Sequence, residues 1–391
     1  MRILMVIDSF FPVVGGSETA VRRLSDTLVD LGHTVGVAVL SRPDAANPST
    51  KFSFWKVPST LLGIDAKFVG KIVHLRRIIR SFRPDVVNVH FMLESGYVGV
   101  RSARAEHIPV VLTNRGRGLY NEPTNGAERL LYPFWNRGSM RADAFIATSQ
   151  EMVDLAKERY GVDSLAISNG VDIEHFHPSR DGRSVRKRYA VPSGRRVLLC
   201  VRRLVPKNGI EYIVRALPLL SPSLDVELWL AAPKNREYEK LVALALELGV
   251  QDRVRFLGSV DHAELPMYLA AADVVVQPSI AEARSLACLE AMANGAAVIA
   301  TATGGLKEII THGENGFLIA PFQESTYAVT TFFQDGVRRV ADAVKTVLTD
   351  EALRARMQKG ARAYAETCSW PQIARQTLAV YEKAIQSRSR S

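Results

Sequence analysis

Cysteine is scarce: Cys200, Cys288 and Cys368 are the only three in 391 residues. They stand far apart, with no CxxC pair and no histidine cluster nearby. That spacing excludes a disulfide framework and a zinc site, and leaves each as a small buried hydrophobe in a reducing compartment. Long apolar runs are missing too. No stretch reaches the ~18 uncharged apolar residues that span a bilayer. The opening MRILMVIDSFFPVVGG meets Asp8 and a glycine turn before a signal-peptide core develops. These absences lead to the expectation of a cytoplasmic protein, at most peripheral at the inner face of the cell membrane.

Several compact motifs are absent as well. There is no GxxxxGK[ST] phosphate loop, and the nearest approach to GxGxxG is GRGLYN (116–121), which lacks its third glycine. No GxSxG occurs. No DxD triplet occurs either, so no compact pair of carboxylates is available for a nucleotide-bound divalent ion. No metal site or cofactor is expected.

Acidic residues are outnumbered, 40 against 50 Lys plus Arg, for a net charge of +10. Phosphorylated small molecules, anionic lipid or nucleic acid would each suit that excess. The stretch KIVHLRRIIRSFR (71–83) holds five cations and no acid. As a helix it puts Ile72, Leu75, Ile79 and Phe82 on one face and Arg76, Arg80 and Arg83 on another. A solvated outer face and a contact with an anionic membrane surface fit it equally.

The chain has 47% apolar and 23% charged residues, the mix of a globular protein. Its length suits two domains. Short β-rich runs alternate with amphipathic stretches. RILMVI, TVGVAVL, DVVNVHF, PVVLTN, AFIATS and SLAIS are predicted strands in the first half. RVLLCV, VELWLA, RVRFLG, DVVVQPS, AAVIAT and GFLIA follow in the second. Helices are predicted at 17–31, 71–82 and 150–160, then around 209–220, 237–248, 262–272 and 285–293, with a helical end at 334–387. Val/Ile runs without polar alternation mean strands buried on both faces, hence parallel sheets under helices. Two successive βα arrays predict two Rossmann-like domains joined within 169–195, with ligand collecting at the carboxyl ends of the strands, in a cleft between the domains. The stretch 321–335 reads as a loop.

PSIAEARSLACLEAMANGAAVIATATGG (278–305) is nearly all apolar or small, yet carries Glu282 and Glu290. Glu282 falls in the loop after strand DVVVQPS, Ser285 can cap the next helix, and Asn294–Gly295 can end it. Glu290 then sits on a buried helix and needs hydrogen-bond donors. Eight helical residues span ~12 Å. The two carboxylates therefore cannot act on one bond, but can grip two parts of a long polar ligand. The alternative is that Glu290 pairs with an internal cation while Glu282 is solvated. Three further features share the strand ends: ATGGL (302–306), which offers a helix N-terminus, and Arg203 and Lys207 of RRLVPKNG. Together they suit a diphosphate. In the first half, Gly15–Gly16 follows the first strand, His90 ends DVVNVH, and Arg115 follows PVVLTN.

The order GGSE, GHTV, DVVNVH, IATS, SNGVDIEHFHP, RRLVPKNGI, VRFLG, DVVVQPS, Glu282-x7-Glu290, LEAMANG, TGGLKEIITHGENGFLI and TCSWPQIA resembles the family 4 glycosyltransferases of the GT-B fold. The likeness runs from about residue 1 to 385. It implies two Rossmann-like domains facing a central cleft: an acceptor-binding domain (1–180) and a nucleotide-sugar donor domain (190–368). A C-terminal helix (369–391) would cross back to the first. It implies a retaining hexosyl transfer from a nucleotide-diphosphate sugar to a glycan or lipid-linked acceptor, with no metal and no nucleic acid partner. A nucleotide-sugar epimerase of the same fold and a non-catalytic basic membrane-surface protein are the alternatives. By resemblance, Glu290 holds the donor ribose, Glu282 the hexose, and Arg203 with Lys207 the diphosphate, aided by backbone N–H groups of Arg284, Ser285 and Leu286 and by the approach of Gly16. Gly258 lies against the base, and His90 and Arg115 lie on the acceptor side. The chain departs from the family in four places. Ala283-Arg284-Ser285 replaces GFG, Asn208 stands where the family lysine is expected, AAPKN (231–235) replaces a glycine-rich loop, and Arg115 stands where a histidine is expected.

Overall fold

RILMVI has no polar side chain after Arg2, so a strand built from it must be covered on both faces. In the computed structural model, which describes residues 1–11, 15–40, 51–61, 64–116, 119, 126–220, 224–322 and 334–389, it is β1 (Arg2–Ile7), and Ile3 to Ile7 are fully buried. The chain forms two compact units, Met1–Gly170 with the stretch from Trp370 onward, and Val171–Ser369.

In the first unit β1 is followed by α1 (Gly16–Asp30), β2 (Thr34–Val39) and β3 (Ser53–Lys56), then a two-stranded hairpin of β4 (Thr60–Leu61) and β5 (Ile64–Asp65). Helix α2 (Lys67–Phe82) leads to β6 (Val86–His90), α3 (Glu94–Ala105) to β7 (Val110–Asn114), and α4 (Gly126–Ser139) to β8 (Ala144–Ala147). Helix α5 (Gln150–Tyr160), capped by Ser149 accepting from the Met152 N–H, leads to β9 (Leu165–Ala166). The sheet is parallel, in the order β3-β2-β1-β6-β7-β8-β9. The chain reverses its direction of travel across the sheet between β1 and β6, the kind of point where doubly wound sheets bind ligands.

The second unit repeats the plan. It opens with α6 (Arg183–Arg188), β10 (Arg196–Val201), α7 (Ile210–Ala216), β11 (Val226–Ala231), α8 (Arg236–Glu247) and β12 (Val254–Gly258). Then come α9 (Leu265–Ala271), β13 (Val274–Gln277), α10 (Leu286–Ala293), β14 (Val298–Thr301), α11 (Leu306–Ile309), β15 (Phe317–Ile319), α12 (Gln334–Thr349) and α13 (Glu351–Glu366). Its parallel order is β12-β11-β10-β13-β14-β15, with the reversal between β10 and β13. Alternate residues of β10 feed opposite cores. Leu198 and Cys200 pack with Ile213, Leu244 and Val344, while Val197 and Leu199 pack with Trp229, Leu289 and Met292. Each such aliphatic side chain contributes about 1.5–3 kcal/mol by burial.

Residues 171–189 fold with this second unit. Arg186 fixes α6 to the sheet edge, donating to Asp273 (2.5 Å) and to the Ala271 carbonyl (2.8 Å). The last helix, α14 (Trp370–Ser389), belongs to the first unit and packs on α1. Its Tyr381 is fully buried beside Met5, and Arg388 donates to the Ile108 carbonyl and to Asp143. The predicted helical end is thus three helices, broken at the Asp350 cap and at Ser369. Of the expected loop at 321–335, residues 323–333 lie outside the described residues.

Candidate functional site

The loops that leave β10, β13 and β14, three neighbouring strands, interlock. The Lys207 carbonyl accepts from the N–H groups of Ile280 (2.8 Å) and Ala281 (3.3 Å). The Gly305 N–H donates to the Glu282 carbonyl (3.1 Å), and the Thr303 hydroxyl to that of Ile280 (3.0 Å). Two glycines allow this. At Gly209 (φ +64) a Cβ would lie 1.8 Å from the Pro278 carbonyl oxygen, and at Gly304 (φ +50) one would lie 1.7 Å from that of Glu282. No other residue type fits either position without moving backbone.

Arg202 sits inside this knot. Its guanidinium pairs with Glu282 and donates to Asn208 Oδ1 (2.8 Å) and to Ser285 Oγ (3.0 Å). Ser285 also caps α10, accepting from the Cys288 N–H (3.2 Å). Glu282 is therefore not the solvated carboxylate of the alternative reading; its side chain is 15% exposed. Burial pushes its pKa upward. The charge and hydrogen bond of Arg202, the charge of Lys207 and the Arg284 amide outweigh that push and hold the carboxyl below its ordinary value. Arg203 and Lys207 are exposed, and their side chains form no hydrogen bond or ion pair among the described residues. Desolvation, opposed by the Glu282 charge, lowers the Lys207 pKa. Asn208, in the family lysine's place, is buried and donates to the Arg203 carbonyl (2.7 Å), so it stiffens the turn.

Glu290 is 9% exposed on α10 and finds its donor in His262, Nε2 to Oε1 at 3.0 Å. That ring is itself held. His175 stacks on it at 5.3 Å and 12° and donates to the His262 carbonyl (2.9 Å), while Phe176 meets it edge-on at 5.2 Å. Arg362 donates to the carbonyls of Ile173 (3.0 Å), Phe176 (2.9 Å) and Ala293 (2.8 Å), tying this segment to the end of α10. Arg284, by contrast, turns into the protein, donating to Glu308 (3.2 Å) and to the Tyr364 hydroxyl (3.1 Å). Its side chain is 8% exposed. Leu286 begins α10, and Gly258 ends β12 at φ +73 with nothing within 4 Å of a Cβ.

In the first unit Gly15 caps α1 in extended backbone, Gly16 begins it, and the Glu18 carboxylate folds back over Gly15 while accepting from the Ser9 hydroxyl (2.6 Å). His90 is fully buried at the end of β6. Its Nδ1 accepts from Arg115 Nε (3.3 Å), which places the proton on Nε2, and Nε2 meets no partner among the described residues. Burial, then the Arg115 charge, holds its pKa well below 6.5. Arg115 also donates to Asn169 (2.5 Å), and burial lowers its own pKa to about 10 against the opposing influence of Tyr381 and Glu18.

The structure thus gathers Arg203, Lys207, Glu282, Ser285 and Leu286 on the interlocked loops, and His90 with Arg115 in the other unit. Sequence reasoning missed Arg202, His262 and His175. Adjacent arginines leaving a strand alternate sides, so one of Arg202–Arg203 had to turn inward; which one is set by the position of Glu282, eighty residues away.

Two parallel Rossmann-like sheets of seven and six strands, with a C-terminal helix on the first, define a GT-B glycosyltransferase fold. Among solved structures, sucrose-phosphate synthase from Thermosynechococcus elongatus superposes with a TM-score of 0.80 at 23% identity, covering 99% of this chain and 100% of that one. An Anabaena protein solved with UDP-glucose gives 0.78 at 21% identity, covering 98% and 100%. The model of "Glycosyltransferase Family 4" matches residues 14–175, and that of "Glycosyl transferases group 1" matches residues 182–364. D-inositol 3-phosphate glycosyltransferase 1 of Catenulispora acidiphila is 30% identical over 319 residues, covering 77% of this chain and 73% of that protein. The chain belongs to the group 1, family 4 glycosyltransferases, retaining enzymes that draw a sugar from a nucleotide-sugar donor.

Proposed function

We propose that the chain transfers a hexosyl group with retention and without a metal ion, from a nucleotide-diphosphate sugar seated on the second unit to a glycan or lipid-linked acceptor. The observation that carries this reading is the knot of loops after β10, β13 and β14, which sets Glu282, the α10 N-terminus, Arg203 and Lys207 at one sheet edge. Arg203 and Lys207 neutralise the diphosphate, with the N–H groups of residues 284–286 completing its seat. Glu290 takes the ribose hydroxyls through the carboxylate oxygen that His262 leaves open. Glu282, set at the loop by Arg202, takes the hexose. Gly258 leaves room for the base.

Breaking the anomeric C–O bond places negative charge on the departing diphosphate. Fixed cations and peptide dipoles stabilise that charge, with single donors of this kind worth about 3–4 kcal/mol. The acceptor attacks from the face the diphosphate leaves, and the diphosphate oxygen takes its proton. His90, fully buried on the acceptor-binding unit with Nδ1 taken by Arg115 and its pKa low, is a neutral imidazole there rather than a base. Arg115 orients it.

Turnover of UDP-, GDP- and ADP-hexoses in excess chelator, with the product anomer read by NMR, tests this. Retained configuration and unchanged rate are expected. An inverted anomer, or a rate abolished by chelator and restored by Mg²⁺, would contradict it.

A further inference from the structure

Three helices of the first unit, α2, α3 and α4, each precede a strand of the same parallel sheet. They pack side by side and run in the same direction. Between them lies a groove of about 600 Å³. Its lining is sorted along the helices. Val69, Ile72 and Val73 on α2, Tyr97 on α3 and Phe134 on α4 come first, and the arginines Arg76, Arg101, Arg104, Arg137 and Arg141 follow, with no acidic residue in the lining. Val69 is 59% exposed, Phe134 54%, and Leu130, one turn before Phe134, 80%. Exposed apolar side chains gathered on one face mark an interaction surface.

The charge is equally specific. Glu106 takes both Arg76 (2.5 Å) and Arg80 (2.8 Å), and Asp143 faces Arg104 (3.5 Å). The cationic face expected on 71–83 is only partly neutralised: Lys71 pairs with Glu94, Arg76 and Arg80 share the single Glu106, and Arg77 and Arg83 are exposed with no ion pair among the described residues. Arg101 on α3, Arg137 on α4 and Arg141 just after it are exposed and form no ion pair among the described residues, and these three, unlike Arg77 and Arg83, line the groove itself.

We propose that this groove docks the protein on an anionic lipid bilayer, with Val69, Leu130 and Phe134 entering the acyl boundary and Arg101, Arg137 and Arg141 engaging headgroup phosphates. An apolar end followed by a cationic rim matches the depth profile of a bilayer interface, where acyl chains give way to phosphate. Nucleic acid would match the arginines but leave the apolar end unmet. Among the described residues no helix is long and apolar enough to cross a membrane, so the contact is a peripheral one.

Flotation of the full chain with phosphatidylcholine vesicles, with and without phosphatidylglycerol, tests the proposal independently of donor binding. The wild type should float with the anionic vesicles only, and less as salt rises. Combining Arg101→Gln, Arg137→Gln and Arg141→Gln should lower partitioning on the order of a hundredfold. Val69→Ser with Phe134→Ser should lower it about tenfold or more. The same charge change at the exposed Arg183, Arg236 and Arg338 of the second unit should leave most of it, and circular dichroism checks that every variant is folded. No flotation of the wild type, equal flotation with neutral vesicles, or groove variants that float like the wild type would each overturn it. So would groove-dependent binding of a polynucleotide without flotation.

Discussion

Glu290 Oε1 and His262 Nε2 lie 3.0 Å apart, and His262 is clasped between His175 and Phe176 from the segment that opens the second unit. A carboxylate buried on a helix made almost wholly of apolar residues is thereby provided with one donor and left with one oxygen to use. Because His262 belongs to the loop after β12 and His175 to the segment before α6, three separate pieces of chain fix the orientation of a single carboxylate.

Replacing Glu290 by Gln should weaken nucleotide-diphosphate binding by about 1.5–3 kcal/mol, the range for hydrogen bonds to a charged group. His262→Ala should weaken it less, through a carboxylate free to turn, and His175→Ala less again. Calorimetric titration of the three variants checks the order. Equal affinities in Glu290→Gln and wild type would remove Glu290 from the nucleotide site.

The Glu282–Arg202 pair should make stability depend on pH in a defined direction. Glu282 has its folded pKa below the ordinary 4.5, so its contribution is whole above that value and is lost as pH falls through the folded pKa. Glu282→Gln should flatten the acid limb of the melting profile in that window. Arg202→Met, which leaves the carboxylate buried without its partner, should cost about 3–5 kcal/mol. A wild-type acid limb identical to that of Glu282→Gln would show that the pair does not form in solution.

Arg203 and Lys207 are exposed, so Arg203→Ala and Lys207→Ala should leave the melting temperature within about 1–2 °C of wild type. Both should lower kcat/KM by an amount corresponding to about 2–4 kcal/mol. The combination of intact stability and lost turnover distinguishes charge stabilisation from scaffolding, and differential scanning fluorimetry beside steady-state kinetics measures both.

Gly304→Ala should destabilise the second unit by more than Gly194→Ala, although both glycines have positive φ (+50 and +87). At Gly194 nothing lies within 4 Å of the added methyl, whereas at Gly304 it meets the Glu282 carbonyl, so the difference isolates the loop knot from backbone strain. Chemical denaturation of the two variants checks the sign.

The two sheets could be read from sequence because their strands are uninterrupted β-branched runs, and all twelve predicted strands appear, with ends shifted by a residue or two. What escaped had a local disguise. Helix α3, ESGYVGVRSARA, carries glycines that read as helix breakers, yet at Gly99 a Cβ would lie 2.6 Å from Val89 of β6, so the glycine sets the packing distance. Helix α4 holds Pro133, and β3 is four residues long. At the site, Glu282, Glu290 and the Ser285 cap could be read from spacing and strand ends alone. Arg202, His262 and His175 could not, because each acts through a partner 28 to 87 residues distant.

Amide hydrogen exchange of the full chain, with and without saturating nucleotide diphosphate from a panel of UDP, GDP and ADP, tests most directly whether the donor sits on the interlocked loops. One of the three should slow exchange within 202–209, 258–262, 279–290 and 303–306, and leave the α2–α4 face unchanged. If no nucleotide alters those segments, or if protection appears only elsewhere in the chain, the donor is not held where the Arg202–Glu282 knot and Glu290 would place it.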